Sequence, residues 1–334
     1  MQLGRLLYAV SAGAGVAALC LLAASTAAEG QGSTPTVPSW AYPVNAPGTA
    51  PAAPAKDDGS EKHVPNSSLA LTITQIRNLF NPPDWHPDDH PAMPDIVAHG
   101  RRPDVRACGY CHLPNGQGRP ENAGLAGLPA GYIEQQMADY RNGLRKSSEP
   151  RMGPPALMLV IGKSATEAEA KEAAEYFSRI QFKPWIRVVE SHTTPKFNIA
   201  GGMLVPAEGG GSEPIGKRII EMPENLERTE LRDSASGFVA YVPPGAIKRG
   251  ESLVNTGGHG KTIRCAICHG ADLKGIGNVP PLAGRSPSYV VRQLCDIQNG
   301  NRRGPWTQLM KEAVAKLNVD DMVDIAAYTA SRQP

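Results

Sequence analysis

The distribution of apolar and polar positions first separates the amino terminus from the rest of the chain. A mainly apolar run covers Leu6 to Ala24, follows the single basic residue Arg5 and ends in small residues suited to cleavage near Ala28. This pattern is typical of an export signal, which we assign to residues 1–28. An uncleaved membrane anchor is the alternative, because the run is nearly long enough to cross a bilayer.

The remaining pattern predicts a tether and three folded segments. Residues 29–67 are rich in Pro, Ala, Gly, Ser and Thr without apolar periodicity, which predicts a disordered tether. Helical periodicity covers 68–183 and returns in 245–334. Between them, 184–244 holds β-like runs such as IRVVES, GMLVPA and GFVAYVP, which predict a small β-rich insertion.

Composition adds two limits to this picture. The chain has 334 residues and 41% hydrophobic content, enough for about two domains, but only 5% aromatic residues, so a cofactor could supply missing apolar bulk. The net charge is +2 without a concentrated basic surface. This excludes nucleic acid as an expected partner.

The same short cysteine and histidine motif occurs twice, in ACGYCHLPNGQG and in RCAICHGADLKG. Its members are Cys108, Cys111 and His112 in the first copy and Cys265, Cys268 and His269 in the second. The offset of 157 residues also relates Tyr132 to Tyr289, Gln136 to Gln293, Asp139 to Asp296 and Arg145 to Arg302. The chain therefore contains two copies of one domain.

Three chemistries fit an isolated CxxC pair, and the repeat discriminates between them. A structural zinc site needs four ligands in one small module, whereas these pairs open two separate repeats. A redox dithiol needs a βαβ setting and gives no reason for the following histidine. Haem attachment uses every residue of the motif, since the two cysteines form thioethers and the imidazole binds the iron. Two copies behind an export signal therefore predict two covalently attached haem c groups.

The second axial ligand of each iron is expected to be a methionine. Met310 lies eight residues before Asn318, the expected N-cap of the last helix, and Met158 lies eight residues before the equivalent cap Thr166. Met152 competes with Met158, because its distance from the preceding arginine matches copy two more closely. The five extra residues of copy one fall in a proline-containing stretch that we expect to bulge outward.

Other potential ligands have simpler interpretations. Met322 lies at core spacing in the last helix and is expected to pack. Four histidines outside the motif are alternative ligands, and they are expected in capped loops, at a helix end or in solvent: His86, His90 and His99 for copy one and His259 for copy two. Cys295 has no partner cysteine and is expected to be a small packing residue, with a reactive thiol as the alternative.

The repeated motifs resemble those of class I cytochromes c, and the tandem resembles the dihaem c-four type. The shared elements are CxxCH, then LAGL or LAGR, then YIEQQMADYRNG or YVVRQLCDIQNG, and a final helix reading AAEYFSRI or IAAYTASR. The resemblance covers about two-thirds of the chain. It implies a mainly α fold with two class I cytochrome c domains in tandem, here joined by the β-rich insertion. It also implies that the carbonyl of Pro280 accepts a hydrogen bond from the ligand histidine, with Ala123 at that place in copy one.

The expected function is single-electron transfer in the periplasm, as a carrier or as the cytochrome subunit of a dehydrogenase. Its partners would be redox proteins, such as a donor dehydrogenase and an acceptor oxidase or cytochrome, with inner-membrane association if the amino-terminal segment is uncleaved. A dihaem oxidase of small sulfur compounds, or a peroxidase, is the competing hypothesis. Such an enzyme would need one iron with an exchangeable or unusual ligand. Because Pro280 and Ala123 differ, two distinguishable redox potentials are expected.

Overall fold

The computed structural model describes residues 37–49 and 56–334. The predicted export signal at 1–28, with its alternative as a membrane anchor, lies outside the described residues. Among the residues that are described, no helix is both long and apolar enough to cross a membrane.

Helices dominate the described chain and strands are confined to its middle. The helices are α1 Ile73–Ile76, α2 Asp95–Ala98, α3 Cys108–His112, α4 Ala130–Arg141, α5 Gly153–Ser164, α6 Glu167–Ser178, α7 Leu226–Glu230, α8 Ala246–Thr256, α9 Ala266–His269, α10 Pro287–Gln298, α11 Gln308–Val314 and α12 Val319–Ala330. The strands are β1 Ile186–Glu190, β2 Thr193–Pro195, β3 Phe197–Ala200, β4 Met203–Pro206, β5 Ser212–Pro214, β6 Ile220–Pro223 and β7 Phe238–Val242. Three short 3-10 helices cover Ser39–Ala41, Pro87–Asp89 and Pro305–Thr307.

The repeat seen in the sequence reappears as repeated helices. Helices α4 and α10 each have 12 residues and begin 157 positions apart, at Ala130 and Pro287. Helices α6 and α12 are also 12 residues long and begin at Glu167 and Val319. In both copies the final helix packs on the helix that follows the CxxCH motif, α6 on α4 and α12 on α10. The two copies therefore share a common helical core.

Local capping sets where the final helices begin. The Thr166 side chain accepts a hydrogen bond from the Glu169 backbone N–H, and the Glu169 carboxylate accepts one from the Thr166 backbone N–H. Asn318 and Asp321 form the same reciprocal arrangement at α12. Both predicted caps are confirmed, and each satisfies two amides that the helix itself leaves unpaired.

The segment between the two copies contains two antiparallel two-stranded sheets and a three-stranded sheet. The sheet has the order β1-β7-β6, with β1 parallel to β7 and β6 antiparallel to β7. Strand β2 pairs with β5, and β3 pairs with β4. Strand β7 leads directly into α8, where Gly250 lets the helix approach α12 closely, because a Cβ there would collide with the carbonyl of Asp324.

The tether predicted for 29–67 is wrong at Ala41, Tyr42 and Val64, which are buried, whereas residues 46–49 and 56–61 are exposed. Ala41 and Tyr42 are 0% and 1% exposed and belong to the core of copy two. Val64 is also buried, in a separate cluster with Trp85 and Leu231. A few apolar side chains anchor this proline-rich stretch, so its low periodicity concealed its packing.

Candidate haem-attachment sites

Each CxxCH motif forms a short helical turn, and in copy one both cysteines and the histidine line one cavity. Cys108 to His112 form α3, and Cys265 serves as the N-cap of α9. Burial raises the pKa of Cys108 to about 12 and that of Cys265 to about 11. The thiols are therefore neutral groups in largely apolar surroundings, which suits attachment to an apolar ring better than binding of a metal as thiolates.

The two motif histidines are oriented identically. His112 Nδ1 lies 2.7 Å from the carbonyl oxygen of Ala123, and His269 Nδ1 lies 2.8 Å from that of Pro280. Because a carbonyl can only accept, Nδ1 is the donor in both cases and Nε2 is left as the free ligand atom. The hydrogen bond expected at Pro280, and its retention at Ala123, are confirmed. Burial also lowers the pKa of both histidines, which favours the neutral imidazole that binds metals.

A largely apolar cavity opens beside the first motif. Its apolar wall comes from all parts of copy one and includes Ile96, Val105, Leu128, Ile133, Ile161 and Phe177. Cys108, Cys111 and His112 line one part of it, and Met158 of α5 lines it as well. Two thiols, an imidazole and a thioether around an apolar space match the donor set that a covalently bound haem requires.

The structure separates the competing methionines of copy one. Met158 lines the cavity, while Met152 is absent from its lining. Met152 is instead 0% exposed and packs in the core cluster of copy two. In copy two, Met310 and Cys265 both pack against that same cluster. Met137 of α4 also lines the cavity, and sequence reasoning did not consider it.

The proline-containing stretch before α5 does not bulge outward as expected. The Ser148 backbone N–H donates to Asp296 Oδ1 at 2.7 Å, and the Asn299 and Asn301 amides each donate to the Ser148 hydroxyl at 3.2 Å. The five extra residues of copy one therefore reach across to copy two. They carry Met152 into the core of copy two, away from the cavity of copy one.

A polar network joins the two copies beside the cavity, and sequence reasoning did not assign it a role. Arg145 donates to Tyr289 Oη at 2.7 Å and to Gln136 Oε1 at 2.9 Å. Arg302 donates to Tyr132 Oη at 2.7 Å and to the same Gln136 oxygen at 2.9 Å. The repetition of these polar residues at the 157 offset was the signal that could have found the network.

Neither arginine of this network forms an ion pair with a described carboxylate, although the buried Asp139 accepts a hydrogen bond from Gln136 at 3.4 Å. Arg145 and Arg302 are 7% and 6% exposed, and their hydrogen-bond acceptors named above are neutral oxygens. Arg302 Nε has no hydrogen-bond partner among the described residues. Arg145 and both tyrosines line the cavity. A buried positive charge without a directly paired carboxylate is costly, so this edge of the cavity suits an anionic group.

The remaining candidate ligands lie elsewhere. His86 contacts Asp233 at 2.9 Å and His90 contacts Asp84 at 3.0 Å, and neither lines the cavity. The described residues contain no cluster of three or more His, Cys, Asp or Glu suited to a metal ion. His99 ends α2 and His259 is exposed, as predicted.

Two further residues pack as expected. Met322 is 1% exposed and Cys295 is 3% exposed, and their sulfur atoms lie 3.4 Å apart in the core of copy two. Burial raises the pKa of Cys295 to about 12. The predicted packing of Met322 and the simpler interpretation of Cys295 are confirmed.

No family model matches the chain. Comparison with individual proteins finds relatives that are named as cytochromes or as an electron acceptor. The chain is 34% identical to cytochrome c-554(548) of Halomonas halodenitrificans over 77 residues, 23% of this chain and 93% of that protein. It is 31% identical to cytochrome c4 of Stutzerimonas stutzeri over 36% of this chain and 63% of that protein. It is 29% identical to the thiosulfate dehydrogenase electron acceptor of Stutzerimonas stutzeri strain A1501, over 70% of this chain and 82% of that protein. The crystal structure of cytochrome c4 from Pseudomonas stutzeri matches with a TM-score of 0.45 and 20% identity, over 67% of this chain and 93% of that chain.

Proposed function

Because this chain belongs to the class I c-type cytochromes and carries two covalently attached haem c groups, we propose that it passes single electrons between redox proteins. The observation that carries the proposal is the pair of motif histidines, each with Nδ1 held by a backbone carbonyl and Nε2 left free. This arrangement fixes a neutral imidazole as a strong axial ligand, which suits a haem whose coordination is unchanged on reduction.

The cavity lining supports the proposed ligands of copy one, and the equal spacing before the last helix supports Met310 in copy two. Cys108 and Cys111 attach the first haem, with His112 and Met158 on its iron. The second haem is attached by Cys265 and Cys268, with His269 and Met310 as its axial ligands. The haem supplies one-electron chemistry through the iron, and the protein supplies the ligands and an apolar, largely buried environment. Arg145 would neutralise a haem carboxylate at the cavity edge.

The chain is proposed to comprise two class I cytochrome c domains in tandem, at 68–183 and 245–334. The repeated helices α4 and α10, and α6 and α12, support this division. The segment 184–244 is the connecting β-rich insertion. Export by residues 1–28 would place the protein in the periplasm, where haem c is attached.

A dehydrogenase is the proposed electron donor, and a periplasmic or membrane-bound oxidase or cytochrome is the proposed acceptor. The relative from Stutzerimonas stutzeri strain A1501 is named as an electron acceptor of thiosulfate dehydrogenase. That similarity makes an enzyme oxidising a small sulfur compound a reasonable first donor to test. The competing enzymatic hypothesis has less support, because the Cys295 thiol is buried against the sulfur of Met322.

Replacing each proposed methionine tests the assignment. In the haem-loaded protein, Met310→Ala and Met158→Ala should each abolish about half of the Met-to-iron absorbance near the red end of the spectrum. Each variant should bind carbon monoxide at one reduced haem while both haems stay attached. An unchanged band in either variant would refute that ligand, and Met137→Ala is then the next variant for copy one.

A further inference from the structure

The insertion covers the attachment loop of copy one. We define the attachment loop as residues 110–119 in copy one and the equivalent residues 267–276 in copy two. The Asn115 side-chain amide donates to the carbonyl of Ser234 at 2.9 Å, and Arg232 donates to the carbonyl of Tyr110 at 2.7 Å. The Arg232 guanidinium also lies 3.6 Å from the centre of the Tyr110 ring. The segment 229–236 therefore closes over this loop.

The covering segment is itself firmly held. Trp85 Nε1 donates to the carbonyl of Leu231 at 2.7 Å, and both side chains are buried in one cluster. The fully buried carboxylate of Asp233 accepts from Arg228 Nε at 2.6 Å and contacts His86 Nε2 at 2.9 Å. These contacts tie the cover to the DWHP loop of copy one, so it is part of the folded core of the protein.

The equivalent loop of copy two has no such cover. Tyr110 is 9% exposed, whereas Ile267, at the matching position, is 56% exposed. Ile276 is also 56% exposed, while the matching Arg119 is partly buried and hydrogen-bonded to Thr229. Within the described part of the chain, the hydrogen bonds made by residues 267–276 stay inside copy two.

The open loop has a charge pattern as well as an apolar centre. Arg264 lies three residues before Ile267 and Lys274 two residues before Ile276, both cations are exposed, and neither has an ion pair with a described residue. Asp272 is the one exposed carboxylate within 264–276, and it accepts a hydrogen bond from the Lys274 backbone N–H. A partner that fits this surface has a small apolar centre surrounded by carboxylates.

We propose that electrons enter and leave the protein through the attachment loop of copy two, where an acidic one-electron redox protein docks on Ile267 and Ile276. The haem of copy one exchanges electrons with partners only through the haem of copy two. This inference rests on the proposed electron-transfer function. On entry the donor protein is oxidised by one electron and one haem iron is reduced from Fe(III) to Fe(II), and on exit that iron is oxidised again as the acceptor protein is reduced, with no bond formed and no proton moved.

Stopped-flow oxidation of the fully reduced, haem-loaded protein by anionic hexacyanoferrate(III) tests the route. The variant Arg264→Glu/Lys274→Glu should slow oxidation of both haems about tenfold at low ionic strength, and the effect should fade at high salt. The matched control Lys163→Glu/Lys171→Glu reverses two exposed cations of copy one and should retain most of the rate. If one haem of the first variant is still oxidised at the original rate, or if the control slows equally, the proposal is wrong.

A second measurement uses poly-L-glutamate as an acidic macromolecular probe. Its addition should shift the backbone amide resonances of residues 264–276 most strongly, and the Arg264→Glu/Lys274→Glu variant should lose this response. Strongest shifts in the attachment loop of copy one would refute the docking site. Failure of the proposed electron-transfer function gives a different result. Pyridine haemochrome analysis would then find fewer than two haems in each chain, or the unmodified protein would not react with the oxidant.

Discussion

At the residue scale, the two methionines of copy one differ by six positions and have different surroundings. Met158 faces the cavity beside the motif histidine, and Met152 is enclosed by the core of copy two. Spacing along the sequence allowed either methionine as the ligand, because Met158 matches copy two in its distance from the helix cap, whereas Met152 is the closer match in its distance from the preceding arginine. Their side chains are chemically identical, so only their placement separates a proposed iron ligand from a packing residue.

Met152→Ala should destabilise the protein without affecting the haem. Removing a fully buried methionine leaves a cavity, and we expect a loss of about 2 to 5 kcal/mol in the free energy of unfolding. Urea denaturation of the haem-loaded protein measures this loss, and the Met-to-iron absorbance should equal that of the unmodified protein. Loss of that band in Met152→Ala would reverse the assignment of the two methionines.

At the element scale, capping determines where the final helix of each copy begins. Thr166 and Asn318 each lie eight residues after the proposed ligand methionine. Each cap fixes the amino-terminal end of the helix that packs on α4 or α10. This regularity explains why helix starts were predictable here, since caps depend on residues that are close in sequence.

Thr166→Ala should lower the free energy of unfolding by about 1 kcal/mol. The Glu169 backbone N–H loses the Thr166 hydroxyl as its acceptor, and the return hydrogen bond from the Thr166 backbone N–H to the Glu169 carboxylate is weakened. Ser178→Ala is a suitable control, since its hydroxyl donates to the Glu175 carbonyl near the other end of the same helix. Thermal denaturation of both variants makes the comparison. Equal stability of the Thr166 variant and the unmodified protein would show that the cap contributes nothing measurable.

At the scale of the whole molecule, residues distant in sequence hold the two copies together. Tyr42 Oη donates to Asp296 Oδ1 at 2.8 Å, and Asp296 also accepts from the Ser148 backbone N–H at 2.7 Å. Arg292 donates to the carbonyl of Ala41 at 2.8 Å. The amino-terminal segment, copy one and copy two therefore meet at a single buried carboxylate.

Tyr42→Phe should lower the free energy of unfolding by about 1 to 3 kcal/mol, because it removes one hydrogen bond from the buried Asp296 carboxylate. Tyr241→Phe is the matched control, since the Tyr241 hydroxyl makes no hydrogen bond with any described residue. Chemical denaturation of the haem-loaded variants gives both values. A loss as large for Tyr241→Phe would contradict a specific role of the Tyr42 hydroxyl.

The two haems should titrate with separate midpoint potentials. The sequence suggested this from Pro280 and Ala123, but both carbonyls hold their histidine at nearly the same distance, 2.8 and 2.7 Å. The clearer asymmetry is the cover over the attachment loop of copy one and the exposed loop of copy two, since solvent exposure changes redox potential. A potentiometric titration that fits one midpoint would contradict this prediction.

The sequence by itself determined the chemistry of the attachment sites, the repeat and the helix caps. Each of these depends on spacings of a few residues or on an exact internal offset, which sequence displays directly. Tertiary structure decided which methionine faces the cavity, where the residues at 37–49 pack and which attachment loop is covered. These outcomes depend on contacts between residues more than a hundred positions apart, such as Tyr42 with Asp296 and Asn115 with Ser234. Local periodicity carries no record of such contacts, because packing energy arises only when the distant surfaces meet.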